Sequence, residues 1–543
     1  MNKYKNEIPK DGIAGLKENF SQDALSGFLV FLLALPLSLG IAKASDFPAI
    51  MGLVTAMIGG VFVSMIAGSP LTIKGPAAGL IVIVAGAVAE LGHGDVSLGW
   101  KLALGAVVVA GVIQILFGLI KMGSLVNFFP LSAVHGMLAA IGLIIISKQL
   151  HILLGINPVN EAGKPLVEPF ELIEKLPDTF GHLDKNATIV GLISLLIVFL
   201  WPRIKQPLLK KIPAPVIVLL VAIPLAKYLS LKQLVHFDKS FIETLNVNVD
   251  FSGFSQTGTF IKYVIMFALV GSLEALLTVK AIDMLDPWHR KSNANKDLMA
   301  VGTGNILAGV LGGLPMISEV ARSSSNIANG ARTRWANFFH GVFILGFLFL
   351  NLQFSDLIPT PALAAMLIGV GYRLASPKEF GLMAKIGKEQ LMVFCVTIFV
   401  TLATDLLVGI AAGIVTELIS QYFFGAPLES MFKAHTSLRG NNLKVAGSAV
   451  FSNWLGIKRK LDSIPNTEKA VIDLSACNFV DHTVIDNLHH LKRDFENEGG
   501  NLTIIGLEEL RPATNSNHEH AALKRSREKR VSLKHAKENL HQS

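Results

Sequence analysis

Apolar and polar positions in this chain do not follow the short periods of a soluble helix or strand over most of its length; they come in long blocks. Uncharged, largely apolar runs occupy residues 24–42, 47–73, 102–120, 122–147, 298–318 and 335–355, each near the roughly 20 residues a helix needs to cross a bilayer. Shorter runs at 75–89, 186–202, 212–226, 357–372 and 390–404 read as partial, tilted or protein-shielded spans. Together they predict about fourteen spans, starting near residues 25, 47, 70, 101, 126, 187, 212, 259, 298, 315, 335, 356, 390 and 406. Beyond residue 426 the pattern changes. "KAVIDLSACNFVDHTVIDNLHHLKRDFENEGGNLTIIGL" reads as strand, turn, amphipathic helix, Gly-Gly stop and strand, with Val484, Leu488, Leu491 and Phe495 on one helical stripe. This segment predicts a small soluble α/β domain.

Composition supports the division. The 543 residues are 51% hydrophobic and 16% charged, with a mean hydropathy of +0.52, against roughly 25% charged residues in ordinary soluble domains. The first 23 residues mix charge and polarity instead of forming a basic start and an apolar core, so a cleavable signal is not expected and the N-terminus is placed in the cytoplasm. Loop charge then tests the span count. "WPRIKQPLLKKIP", "WHRKSNANK", "ARTR" and "YRLASPKEFGLMAKIGK" follow the sixth, eighth, tenth and twelfth spans and are all basic, whereas "NEAGKPLVEPFELIEKLPD" after the fifth is acidic. Positive loops on one side are what cytoplasmic loops carry. Expected domains are a cytoplasmic segment 1–23, a transmembrane domain 24–426, a cytoplasmic α/β domain 440–510 and a basic, disordered tail 511–543. That tail holds eight Lys and Arg against three Glu, a local charge of 8 − 3 = +5 out of the chain's +8. It reads as a solvated tail, with anionic lipid as the other partner such a charge could serve. Its four histidines, His518, His520, His535 and His541, lack metal-site spacing. The two cysteines, Cys395 and Cys477, suggest no disulfide framework.

Chemistry concentrates where two spans are broken. "SPLTIKGPAAGLIVIVAG" (69–86) places a Lys and two Pro inside an apolar tract, and "LPMISEVARSSS" (314–325) places a Glu and an Arg in another. Aligning Pro70 with Pro315 sets Lys74 against Glu319 and Ala77 against Arg322, an internal echo at an offset of 245. A second echo aligns "IAKASD" with "TVKAID", Lys43 with Lys280 and Asp46 with Asp283, at an offset of 237. Repeated, interrupted spans mark the midplane site of a transporter built from inverted repeats. Each break predicts an extended lead-in and a half-helix starting at mid-membrane. Two such N-termini, each worth roughly half a positive charge, would converge with Arg322 on an anion. Lys74 and Glu319 are expected to pair, because a lone charge at the bilayer centre costs at least ~2.5–3.5 kcal/mol. A further membrane carboxylate, Glu274 in "FALVGSLEALLTVKAID", has Thr278 one turn later on the same face. It is suited to take up a proton or to stand beside a bound cation. "GTGNILAG" (302–309) lacks the Lys-Ser/Thr ending of a phosphate loop and reads as close helix packing. No metal-ligand cluster, nucleophile elbow or nucleotide fingerprint is present, so an enzyme is disfavoured.

From about Asp23 to Leu510 the chain resembles the sulfate permease (SulP) family of anion transporters. The residues carrying the likeness are "FLVFLLALPLSLGIAKAS", "SPLTIKGPAAGLIVIV", "SLEALLT", "GGLPMISEVARSSSNIANGARTR" and, resembling a STAS domain, "VIDLSACNFVDHTVIDNL". The resemblance implies a polytopic α-helical membrane protein of about fourteen spans in a 7+7 inverted repeat, with core and gate domains, an elevator-like motion and a homodimer. It implies an anion site among the first, third, eighth and tenth spans, for which Pro36, Gly75, Ala77, Ala78, Ala321, Arg322 and Ser323 are the candidates. It places Glu274 where the family keeps an acidic residue linked to H⁺ or Na⁺ coupling, with Thr278 beside it; no other cofactor or metal is implied. Two departures remove hydroxyls from the expected site: Ala321 stands where many relatives have Ser, and the third span reads Lys-Gly-Pro-Ala where many read Ser-Gly-Pro-Thr. In the STAS-like segment His482 occupies the position of a phosphorylatable Ser, with Thr483 adjacent. The expected function is secondary transport of a small inorganic anion, sulfate or bicarbonate, coupled to H⁺ or Na⁺. Placement is in the inner (plasma) membrane with both termini cytoplasmic. Membrane lipid and a cytoplasmic protein at the STAS domain are expected contacts, and nucleic acid is not. A dicarboxylate carrier, an anion exchanger, and a receptor or scaffold signalling through the STAS domain are the alternatives.

Overall fold

The computed structural model describes residues 8–526, apart from 125–128, 160–165, 167, 207–208, 210–211, 236–240, 245, 351–356, 515 and 517. A helix meets each of the fourteen expected spans. In chain order these are α1 (Gly12–Ala44), α2 (Ala49–Ile58, continued by a π-helical turn Gly59–Val63), α3 (Ile81–Leu91), α4 (Val96–Leu119), α5 (Leu131–Leu153), α6 (Lys185–Leu200) and α7 (Ala214–Tyr228). The second seven are α8 (Thr257–Leu285), α9 (Ala294–Leu311), α10 (Val320–Ala328), α11 (Trp335–Phe349), α12 (Thr360–Leu374), α13 (Lys388–Ala403) and α14 (Leu406–Phe423). Several helices open on the cap their sequence supplies: Asp95 accepts from Ser97 N and Leu98 N at the start of α4, and Asp184, Asn293 and Asp405 do the same for α6, α9 and α14. The third and tenth spans are short because each is broken. Ile73–Pro76 (β1) and Met316–Glu319 (β2) are extended and precede α3 and α10.

Two compact units emerge: residues 1–123 with 141–374, and residues 124–140 with 375–543. Within the first unit the packing obeys the inverted repeat, in which α1–α4 correspond to α8–α11. Helix α4 packs on α9 as α11 packs on α2; α1 packs on α11 as α8 packs on α4; α1 meets α10 as α8 meets α3. Each of the first two corresponding crossings rests on a glycine pair. A Cβ added to Gly60 would lie 2.4 Å from Gly341 Cα, and one added to Gly302 would lie 2.6 Å from Gly111 O. Only glycine lets backbones approach so closely, the membrane equivalent of a small-residue seam. The "GTGNILAG" stretch is therefore helix packing, as its composition indicated.

In the second unit the C-terminal domain folds as strand β3 (His435–Arg439), β4 (Asn442–Ala449), α15 (Phe451–Leu461), β5 (Lys469–Val480), α16 (His482–Glu498) and β6 (Asn501–Ile505). Strand β5 runs parallel to β4 and to β6. Val484, Leu488, Leu491 and Phe495 all enter its core beside Trp454 and Ile472. One expectation needs correction. The described residues of 511–526, part of the expected disordered tail, are seated on the domain instead. Arg511–Pro512 (β7) pairs with Leu523–Lys524 (β8), which pairs with β5, and Arg525 is buried with its Nε on Cys477 O and its Nη1 on Glu509. Ala513, Ala521 and Ala522 supply the apolar contacts. The rest of the expected tail, from 527 and including His535 and His541, lies outside the described residues.

Substituting Gly341→Ala should lower the thermal unfolding midpoint of the detergent-purified protein, by an overpacking cost of about 1–3 kcal/mol. On the same helix an added Cβ at Gly346 meets nothing within 4 Å, so Gly346→Ala should leave the midpoint unchanged or raise it.

Candidate functional site

The two broken spans meet as an antiparallel ladder. Its register pairs Ile73 with Glu319, Lys74 with Ser318, Gly75 with Ile317 and Pro76 with Met316. Successive strand side chains point to opposite faces, so Lys74 and Ser318 share one face and Glu319 lies on the other. The expected Lys74–Glu319 pair is accordingly not formed. The repeat alignment that matched these residues is one position away from the pairing register, and a one-residue difference moves a side chain to the other face.

Lys74, wholly buried, donates instead to Asp297 of α9, with Nζ 2.9 Å from Oδ1, and to Thr72 Oγ1. Asp297 also accepts from Gly68 N at 3.1 Å, Ser69 N at 3.2 Å and Ser318 Oγ at 3.0 Å. This carboxylate holds the lead-in to β1 and the middle of β2 together. The pair is a structural clamp, and every oxygen lone-pair direction it uses is matched by a donor, the condition under which a buried ion pair is tolerated. Ser323 has a similar fate. Its hydroxyl accepts from Ile73 N at 2.9 Å and donates to Glu319 O at 2.5 Å, which ties α10 to β1. Asn326 extends the seam, donating to Leu71 O while Ser26 of α1 donates to Asn326.

On the opposite face Arg322 is 0% exposed, and its Nε lies 2.8 Å from Glu319 Oε2. The pair is an ion contact: none of Nε, Nη1 and Nη2 makes a hydrogen bond among the described residues. The guanidinium rests on the backbone of β1, since a Cβ added to Gly75 would fall 2.4 Å from Nη1. Any side chain at position 75 would displace it. A few residues on, a Cβ added to Gly79 would fall 2.0 Å from Glu274 Oε1. Glu274 of α8 thus presses its carboxylate against the start of the third-span half-helix, and that oxygen is buried without a hydrogen bond. Glu319 is the neighbouring charge acting on it. Thr278 is buried one turn further along α8.

Both half-helix starts are open. Ala77 precedes the 3₁₀ turn Ala78–Leu80 that leads into α3, and Glu319 precedes α10; neither supplies a side-chain cap. Ala77 and Ala78 are buried and carry no hydroxyl. Ala321 is half-buried in the first turn of α10. Pro36 is buried in the interior of α1. Two turns of α11 add residues that sequence reasoning did not reach: Asn337 and His340 are buried and without hydrogen-bond partners among the described residues, and Arg322 acts on His340 electrostatically. Buried polar atoms are ordinarily paired, so these two residues, like Arg322, are exceptions.

Residues 20–397 match the sulfate permease family. The chain belongs to that family. It is 26% identical over 408 residues to YvdB of Bacillus subtilis, covering 74% of this chain and 73% of that protein. It is 25% identical over 441 residues to the bicarbonate transporter BicA of a Synechocystis species, covering 80% of this chain and 75% of that protein. Among solved structures it is similar to the transmembrane domain of a cyanobacterial BicA, with a TM-score of 0.63, 24% identity and coverage of 73% of this chain and 97% of that one. It is similar also to the overall structure of SLC26A9, with a TM-score of 0.65, 15% identity and coverage of 99% of this chain and 93% of that one. The protein is thus a multi-pass membrane anion transporter, not an enzyme, and its C-terminal α/β region is consistent with a STAS domain.

A double-mutant cycle should find Lys74 and Asp297 coupled by about 0.5–3 kcal/mol and Lys74 and Glu319 uncoupled. Lys74→Met alone should destabilise the protein by about 3–5 kcal/mol, because it leaves Asp297 buried without its cation; denaturant or thermal unfolding of the purified variants measures both.

Proposed function

We propose that this protein carries a small inorganic oxyanion, sulfate or bicarbonate, across the plasma membrane, with Arg322 and the starts of α3 and α10 as its binding site. The observation that carries the reading is the Arg322 guanidinium: fully buried in the first turn of an uncapped half-helix, against the backbone of β1 at Gly75, in an ion pair with Glu319 but with none of its three nitrogens in a hydrogen bond among the described residues. An oxyanion supplies several acceptor oxygens to such donors, and a half-helix N-terminus adds favourable potential. The absence of hydroxyls at Ala77, Ala78 and Ala321 favours recognition by charge and backbone over recognition by side-chain pattern.

Glu274 is the coupling residue in this reading. It lies against the same half-helix start as the anion and feels Glu319. With Arg322 already partly balanced by Glu319, an anion beside an ionised Glu274 would crowd negative charge. A proton or Na⁺ at Glu274, with Thr278 as a further Na⁺ ligand, relieves that crowding, and so anion and cation bind together. The clamp of Lys74, Asp297, Ser318 and Ser323 makes both half-helices one piece, which suits an elevator-like movement of the whole site. Basic loops after the even-numbered spans support cytoplasmic termini.

Uptake of labelled sulfate and bicarbonate into proteoliposomes, with H⁺ or Na⁺ gradients imposed, tests this. Wild type should show saturable, gradient-driven uptake of one of them. Arg322→Ala should lower uptake at subsaturating anion by about tenfold to a hundredfold, the loss expected for charge-assisted hydrogen bonds. Glu274→Gln should abolish the response to the cation gradient. Gradient-driven uptake that survives in Glu274→Gln would remove Glu274 from coupling.

A further inference from the structure

The second unit contains a buried polar network with no part in the anion site. Glu417 and Gln421 of α14 sit one turn apart, and the Gln421 amide nitrogen donates to Glu417 Oε1 at 3.0 Å and to Asp481 Oδ2 at 2.9 Å. Asp481 is the residue before α16 of the C-terminal domain. It caps that helix through Val484 N at 2.7 Å and holds α15 through Phe451 N at 2.6 Å. Gln390 of α13 donates to Glu417 and accepts from Ser132 at the start of α5. One residue past the cap, the Thr483 hydroxyl accepts from Leu131 N at 3.2 Å. Thr483 is buried and its hydroxyl engaged, which removes it as a modification site. The last spans and the start of α16 are therefore joined by two carboxylates that share one amide donor.

Several charged groups among the described residues face this joint. Glu417 and Asp481 are both buried, at 2% and 0% exposure. Among the described residues the charge acting on Glu417 is the carboxylate of Glu389 on α13, and Glu417 itself acts on Asp481. Lys524 of β8 acts on Glu389. His482, next to Asp481, is held by His520 O and is surrounded by Asp486, His520 and His135, of which His135 pairs with Glu379. No Lys or Arg is paired with either central carboxylate among the described residues. Two buried carboxylates bridged by a neutral amide accommodate a shared proton far better than two charges.

We propose that this joint is a proton-operated latch, in which a proton on the Glu417–Asp481 pair keeps α14 tied to the start of α16 and its loss to an alkaline cytoplasm frees the C-terminal domain from the last spans. Burial, followed by the charge of Glu417, pushes Asp481 up to about 8, against the opposing hydrogen bonds from Val484, Phe451 and Gln421. The sign follows from linkage. An acid whose value is raised in the joined state stabilises that state fully below its ordinary value, and the contribution falls away as pH rises, being gone above about 8. The latch acts independently of which anion is carried.

Hydrogen–deuterium exchange of the full-length protein in lipid nanodiscs, at pH 6.5 and 8.5 and corrected for intrinsic exchange, reads the joint directly. Peptides covering 417–424 and 480–486 should exchange about tenfold faster at the higher pH, while the β5 strand stays protected. Asp481→Asn, which mimics the protonated acid, should hold the slow rate at both pH values. If Asp481→Asn fails to protect β5, Glu417→Gln takes its place under the same criterion. Equal corrected rates in wild type, or a full pH response retained in the folded variant, would overturn the latch.

Discussion

Backbone groups at the middle of a bilayer have to be satisfied inside the protein, and the β1–β2 ladder is how this chain satisfies them where two of its spans break. Eight residues in two extended segments pair with one another, and Ile73 N and Met316 N at the ends are met by Ser323 Oγ and Asn305 Oδ1. That pairing positions everything that follows. It sends α3 and α10 away from the two ends of one short ladder. It also puts alternate side chains on opposite faces, so that one face becomes the Lys74–Asp297 clamp and the other the Arg322–Glu319 site. Had the same charges been placed on one face, they would have neutralised one another and left no donor for a guest.

Close backbone approach is the second requirement. Gly59, in the π-helical turn, lies against the carbonyl of Lys74; an added Cβ would come within 2.5 Å of that oxygen. Gly60, its neighbour, lies on Gly341 of α11. The π turn, a distortion often found where helices serve a site, thus packs β1 on one side and α11 on the other. Gly75 and Gly79 leave room for Arg322 and Glu274 in the same manner. Glycine here is a spacing device, and its cost in helix stability is offset by contacts that no larger residue permits.

Much of this was written in the sequence. The fourteen helices were legible because a bilayer imposes length and apolarity on each, and the breaks because Pro and charge are conspicuous in apolar tracts. Arg322 and Glu274 stood out for the same reason, and Gly75 through the family resemblance. Partner choice was not legible. Lys74 prefers Asp297 to Glu319 because of a pairing register that no repeat alignment supplies, and Asp297 sits at the start of α9 beside a basic loop, where it reads as an ordinary first-turn acid. That the Ser323 hydroxyl bridges Ile73 N and Glu319 O was equally hidden, since the first of these contacts joins distant parts of the chain. Asn337 and His340 were hidden in "WANFFHGVFILGF", since a single polar residue in an apolar helix carries no sign of what it faces. The charge of residues 511–526 suggested disorder, yet short apolar pairs such as Ala521 and Ala522 were enough to seat the segment on β5.

The central claim is that a transported oxyanion sits between Arg322 and the two half-helix starts. Crystals grown with selenate, whose anomalous scattering locates the anion without reference to transport, test it most directly. The account predicts an anomalous peak within hydrogen-bond distance of Arg322 Nη1 or Nη2 and of the backbone N–H groups at residues 77–79 or 320–322. A selenate held elsewhere in the membrane domain, with the Arg322 guanidinium satisfied by protein groups alone, would contradict it.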